Sequence, residues 1–149
     1  MRVAEFMTSP PVTADPVTTA REAARLMAEQ AVGCVLVVDR GRLRGVLTDR
    51  DLAVRVLARG ADPETPVGGL MSAPVVTLDA DEDVSAAYRT FCRTGVRRLP
   101  VLRDGRVVGV LAVDDLFLDV LQHLADLLGP ISWSALREGG PGPGPPATG

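Results

Sequence analysis

The chain has 149 residues, 46% of them hydrophobic, but only one Trp, one Tyr and three Phe, so whatever core it buries is aliphatic. A formal net charge of −3 and a pI near 5.1 argue against general nucleic-acid binding, which needs a basic face and often aromatic platforms. No apolar stretch approaches the roughly 18 residues that span a bilayer, and Met1-Arg2-Val3-Ala4-Glu5 lacks the apolar core of a signal peptide; no membrane partner and a cytoplasmic location are expected.

In chain order, a short strand is expected at Val12-Thr13-Ala14, followed by a helix from about Thr19 to Gln30 that opens on a Thr19/Glu22 capping box. Ala20, Ala23, Ala24 and Met27 recur at helical spacing and read as a core face. Two strands then flank the polar, Gly-containing turn Asp39-Arg40-Gly41-Arg42, namely Cys34–Val38 and Leu43–Leu47, which is the pattern of a hairpin. A helix from Asp49 to Ala58 closes this unit, and Arg59 to Gly69 is rich in breakers, as a linker is. The second half runs the same way: a helix with Val84, Ala87, Tyr88 and Phe91 on its core face, a hairpin around Asp104-Gly105, and a closing helix from Val113 to about Leu128. That last helix is apolar around more than one face, which points to contact with another chain and a homodimer. After Gly129-Pro130, Ile131-Ser132-Trp133 is expected to lie back on the body, and the Gly/Pro-rich tail to be disordered from about residue 139.

The correspondence of the halves is exact in spacing. From Met7 to Leu57 the sequence repeats at an offset of 64 without a gap: Met7-x-x-Pro10 answers Met71-x-x-Pro74, Gly45-Val46-Leu47 answers Gly109-Val110-Leu111, and Asp51-Leu52 answers Asp115-Leu116. A unit of about 50 residues has little core of its own, so two are expected to pack together. The expected organisation is unit 1 at 7–58, a linker at 59–70, unit 2 at 71–128 and an extension at 129–149.

Chemistry is concentrated at Gly45-Val46-Leu47-Thr48-Asp49-Arg50-Asp51, where an apolar strand runs into a hydroxyl and two carboxylates and then into a helix. The first turn of a helix carries unpartnered N–H groups and the positive end of the macrodipole, which suits a phosphate. Thr48 can donate to a phosphate or ribose oxygen, and Asp51, three residues on, can accept from vicinal ribose hydroxyls. The same four residues also read as a capping box with no ligand. Elsewhere, Cys34 and Cys92 sit in apolar-periodic segments with no C-x-x-C or Cys/His grouping; they read as free buried thiols, with no metal site. The single histidine, His123, lies in a helical pattern and is expected to face solvent or a helix partner. No Ser/His/Asp or Cys/His set is singled out by spacing, so an enzyme is not expected.

On Met7-x-x-Pro10-x-Val12-Thr13, Gly45 to Asp51, Arg97-Arg98-Leu99-Pro100-Val101 and the repeat itself, the chain to about Leu128 resembles the CBS domain pair, or Bateman module, and in particular small stand-alone bacterial members. The resemblance implies an α/β (α+β) fold of two tandem β-α-β-β-α units, packed through their sheets with pseudo-twofold symmetry. It implies regulatory binding of an adenosine nucleotide (AMP, ADP or ATP) in the cleft between units, with no cofactor required. The family roles fall on Thr48 and Asp51 for phosphate and ribose, with Val46 and Arg50 beside them. Thr13, with Val35 and Leu36 nearby, takes the adenine side, and Arg97 and Arg98 the phosphates. The pseudo-twofold implies a second site around Thr77, Leu99, Pro100, Ala112 and Asp115. There Ala112 replaces Thr48, and Gly33 and Cys34 stand where the first site has Arg97 and Arg98, so one good site is expected. Lacking an output domain, such a module signals to a separate, unknown partner protein. The alternative is a structural homodimer that has lost its ligand; intact Thr48, Asp51, Arg97 and Arg98 argue against it.

Overall fold

The computed structural model describes residues 1–73 and 75–138. The chain divides into two compact units, Met1–Val113 and Asp114 onward.

The first unit holds the first copy of the repeat and the second copy as far as Val113. Strand β1 (Thr13–Ala14) leads to helix α1 (Ala20–Gln30), then to the hairpin β2 (Cys34–Asp39) and β3 (Arg42–Thr48). The chain continues as α2 (Asp49–Asp51), which passes into a π-helical segment, Leu52–Ala58. The second copy gives β4 (Leu78–Asp79), α3 (Val84–Thr94), β5 (Arg98–Arg103) and β6 (Arg106–Ala112); α4 (Val113–Glu138) follows. Each copy makes a three-stranded sheet, β1-β2-β3 and β4-β5-β6. Ala14 pairs in parallel with Val37, and Leu78 with Val101, at the same 64-residue offset. Both hairpins turn on two residues with positive φ, Arg40-Gly41 and Asp104-Gly105, whose twist matches that of the flanking strands.

Helix α1 begins as its sequence dictates: Thr19 Oγ1 accepts from the Glu22 amide at 3.1 Å and Glu22 Oε2 accepts from the Thr19 amide at 3.0 Å. Its buried face is Ala20, Ala23 and Met27, packed with Val35, Val37, Leu47, Val56, Val67 and Leu70. Ala24 and its equivalent Tyr88 are exposed, not core: each sits beyond the edge of the apolar stripe, and on α1 it is Leu26 that meets the cluster. Leu36 is fully buried like Val35 and Val37 on either side of it, so β2 is covered on both faces.

The two copies are interleaved by their lead-in segments. Val67–Gly69 forms a short 3-10 turn bonded to the first copy, Val67 N–H to Thr18 O at 2.8 Å and Gly68 N–H to Pro16 O at 2.9 Å. Its equivalent, Val3–Glu5, is bonded to the second copy through Val3 N–H to Glu82 O at 2.9 Å. Ser72 then pairs with Val46 on β3, and Thr8 with Val110 on β6. The crossings need glycine beneath them. A Cβ on Gly45 would stand 2.9 Å from Ser72 O and against the Met71 side chain, and one on Gly109 would stand 2.7 Å from Thr8 O and from Met7 Sδ. The repeated Met and Gly positions are therefore the two sides of one backbone crossing, used twice.

Three further expectations change. The helix after Asp51 is π-helical, and Ala61 N–H reaches Val56 O at 3.0 Å, five residues back; apolar spacing over seven positions does not separate this from an α-helix. Helix α4 does not stop near Leu128 but runs to Glu138. Gly129 and Pro130 are the two weakest helix formers, and Pro130 forfeits one backbone bond, yet the helix runs through both. Cys34 is buried as expected, but Cys92 is exposed, since it lies on the outer side of α3 from Phe91. The tail from residue 139 lies outside the described residues. Among those described, no helix is long and apolar enough to cross a membrane.

Candidate functional site

At the end of β3 the chain must leave the sheet and start a helix, and Thr48 does both. Its φ and ψ are extended, its hydroxyl accepts from the Asp51 amide at 3.1 Å, and Asp51 Oδ2 accepts from the Thr48 amide at 2.9 Å. The capping box is thus formed. It also fixes both side chains at the rim of a cleft of about 510 Å³ lined by Val46, Thr48, Arg50 and Asp51 on one side and by Arg97, Arg98 and Leu99 on the other. The hydroxyl still has its proton to donate, and Asp51 Oδ1 is 3.8 Å from Arg55 Nε. Two carboxylates (Asp49 and Asp51), two hydroxyls (Thr48 and Ser72) and three guanidinium groups (Arg50, Arg97 and Arg98) line one cavity of this size, a chemistry suited to a ligand with both hydroxyl groups and negative charge.

Arg98 is held over a glycine. Its Nη2 lies 3.0 Å from where a Cβ on Gly33 would stand, as does Asp49 Oδ2, and the Asp49 amide donates to Gly33 O at 3.0 Å. A larger residue at 33 would push the guanidinium out of this position. Next to Gly33, burial pushes the Cys34 thiol up to about 11; nearby Arg98 opposes this and Asp51 and Asp49 add to it. Cys34 is therefore protonated at neutral pH and unreactive.

Six of the nine residues expected at the ligand site line this cleft: Val46, Thr48, Arg50, Asp51, Arg97 and Arg98. Val35 and Leu36 do not, being fully buried in β2, and Thr13 opens on a different surface beside α1. Their place is taken by Ser72, Val75 and Val76, the lead-in of the second copy, which the Val46–Ser72 pairing brings across β3. The repeat shows which positions are equivalent but not that the lead-ins cross, so the expectation draws on the lead-in of the first copy where the cleft is lined by that of the second. It also missed Arg55. That side chain donates to Leu70 O, to Met71 O at 3.2 Å and to Ser72 Oγ at 3.3 Å, tying the wall of the cleft to the segment that carries Asp51. The available signal was a cation one turn after Asp51, and one turn is a spacing common to many helical pairs.

The equivalent second cleft exists, at about 370 Å³, lined by Thr8, Pro11, Val12, Gly33, Cys34 and Ala112 among others. These are the 64-residue equivalents of Ser72, Val75, Val76, Arg97, Arg98 and Thr48. Of the residues expected there, only Ala112 lines it. Leu99 belongs to the first cleft, Thr77 to a third, Pro100 is fully buried, and Asp115 falls in the second compact unit. Arg98 lines both clefts, so the second is not without a cation, but it has neither a hydroxyl at position 112 nor a cation of its own at 33 or 34.

Two interleaved β-α-β-β-α copies with a Thr-x-x-Asp cap at the inter-copy cleft are the architecture of a tandem CBS pair. The CBS domain family model matches at residues 3–58 and 67–121, and the chain belongs to that family. Among curated relatives it is similar to the CBS domain-containing protein YhcV of Bacillus subtilis, 36% identical across 81% of this chain and 86% of the relative. It is also similar to hypoxic response protein 1 of Mycobacterium tuberculosis, 33% identical across 70% of this chain and 75% of the relative. Among solved structures it is similar to a CBS domain protein of Pyrobaculum aerophilum complexed with AMP, with a TM-score of 0.75, 29% identity, and coverage of 85% of this chain and 99% of that one.

Proposed function

We propose that this CBS pair is a regulatory module that binds one adenosine nucleotide, AMP, ADP or ATP, per chain and signals its occupancy to a separate protein. The observation that carries this is the preformed Thr48–Asp51 box facing Arg97 and Arg98 across a cleft of about 510 Å³. Asp51 Oδ1 takes the ribose hydroxyls and the Thr48 hydroxyl takes a phosphate oxygen. Val46, Val75 and Val76 give the adenine an apolar slot, and the guanidinium groups take the remaining phosphate charge. The AMP complex of the Pyrobaculum relative, and a complex of another CBS pair with 5′-methylthioadenosine and S-adenosyl-L-methionine, support an adenosine ligand.

The role is regulatory and not catalytic: the lining groups hold a nucleotide, and the adjacent thiol of Cys34 is kept protonated. Helix α4 exposes Phe117, Leu118, Leu121, Leu124, Leu127 and Leu128, an apolar surface that supports a homodimer or the partner protein. A cytoplasmic location, where adenylates are abundant, suits this role. The test is a pull-down from lysate with and without ATP, with Asp51→Ala as control. Capture that depends on ATP in the wild type and not in the variant is expected; capture indifferent to both would overturn the signalling role.

A further inference from the structure

A further charged cleft lies at the tips of the two hairpins, sharing only Val75 of its lining with the nucleotide cleft. It has a volume of about 1080 Å³, and its lining includes Arg40, Arg42, Arg44, Arg106 and a single carboxylate, Asp104. This is a local concentration of positive charge on a chain whose net charge is −3. The pseudo-twofold makes it, since Arg42 and Arg106 are equivalent positions on β3 and β6.

Three features work against stability here. Arg106 stands directly across the hairpin from Arg103, a like-charge cross-strand pair. Arg40 occupies a left-handed turn position, φ 51°, where its equivalent is Asp104, a residue that tolerates that region far better. Arg44 has Asp39 at 3.9 Å and Arg103 has Asp81 at 3.5 Å, whereas Arg40, Arg42 and Arg106 have no ion-pair partner among the described residues. Exposed guanidinium groups gathered with so few carboxylates among them raise the local potential and can bind an anion from outside the chain.

We propose that this hairpin-tip cleft is a binding site for a small multivalent oxyanion of the pyrophosphate or triphosphate type, held between Arg42 and Arg106 with Arg40 and Arg44 flanking. One phosphate would engage one or two of these groups; a chain of two or three phosphates engages arginines from both hairpins at once. Nucleic acid fits less well, because no aromatic side chain lines the cleft on which a base could stack.

The test is calorimetric titration of the full chain with inorganic pyrophosphate and tripolyphosphate at low salt. Binding is expected to weaken about tenfold or more in Arg42→Ala/Arg106→Ala and to strengthen in Asp104→Asn, which keeps the turn. It should fall steeply with added salt and be unchanged when AMP saturates the nucleotide cleft, whose own arginines would otherwise compete for the anion. The arginine variants should unfold at or above the wild-type temperature, since Arg106→Ala relieves the pair with Arg103. No binding at millimolar anion, loss when AMP is present but not in the arginine pair, or tighter binding of a single-stranded oligonucleotide than of tripolyphosphate would each overturn the assignment.

Discussion

Thr48 and Asp51 satisfy each other before any ligand arrives, so each substitution has a stability part and a binding part. Thr48→Ala removes a cap and is expected to cost about 1 kcal/mol in denaturant unfolding, besides the phosphate contact. Asp51→Ala removes the acceptor for the Thr48 amide and, with it, the acceptor proposed for the ribose. Cys34 gives a separate prediction. Its folded pKa is raised to about 11 from 9.0, so the unfolded thiol ionises first, and the stabilisation present below pH 9 is lost as pH rises towards 11. A denaturation midpoint that falls across that window in the wild type but stays level in Cys34→Ala is expected; equal curves would contradict it. At neutral pH a thiol reagent should modify exposed Cys92 and leave Cys34 until unfolding. At this scale the sequence was legible wherever chemistry was local. Thr48 with Asp51, and Thr19 with Glu22, are three-residue patterns whose geometry follows from their spacing. Thr13, Val35 and Leu36 were misplaced because cleft membership depends on which distant segment crosses β3.

Among the elements, the crossing of Met71-Ser72 over Gly45 positions one wall of the nucleotide cleft. Gly45→Ala puts a methyl group against Ser72 O and the Met71 side chain, and should destabilise by about 1–3 kcal/mol while lowering nucleotide affinity. Normal affinity in that variant would show that the wall does not matter. Arg55 ties the same wall from the other side. Arg55→Met leaves the Leu70 and Met71 carbonyls without their donor, and Arg55→Lys returns one charge and part of the bonding. The expected order of nucleotide affinity is wild type, then Lys, then Met, with thermal shift measuring the accompanying loss of stability. Hairpins and capped helices were readable because turn residues and period announce them. The π-helical segment and the run of α4 past Pro130 were not, since each depends on how neighbouring turns settle and not on a local signal.

For the whole molecule, duplication with an offset of 64 makes two equivalent clefts, and a few substitutions make them unequal. The repeat was plain in the sequence, as were the losses at Ala112, Gly33 and Cys34. Hidden from it were the exchange of lead-in segments and the reach of Arg98 into both clefts, features that exist only once the copies interleave. One guanidinium shared between two clefts favours one nucleotide at a time. The central claim is therefore a stoichiometry, and calorimetric titration of the chain with ATP and AMP measures it. The account predicts one nucleotide per chain, and an affinity reduced at least about tenfold in Asp51→Ala, as loss of a charged hydrogen-bond acceptor entails. Two equal sites per chain, or an unchanged isotherm in Asp51→Ala, would contradict it.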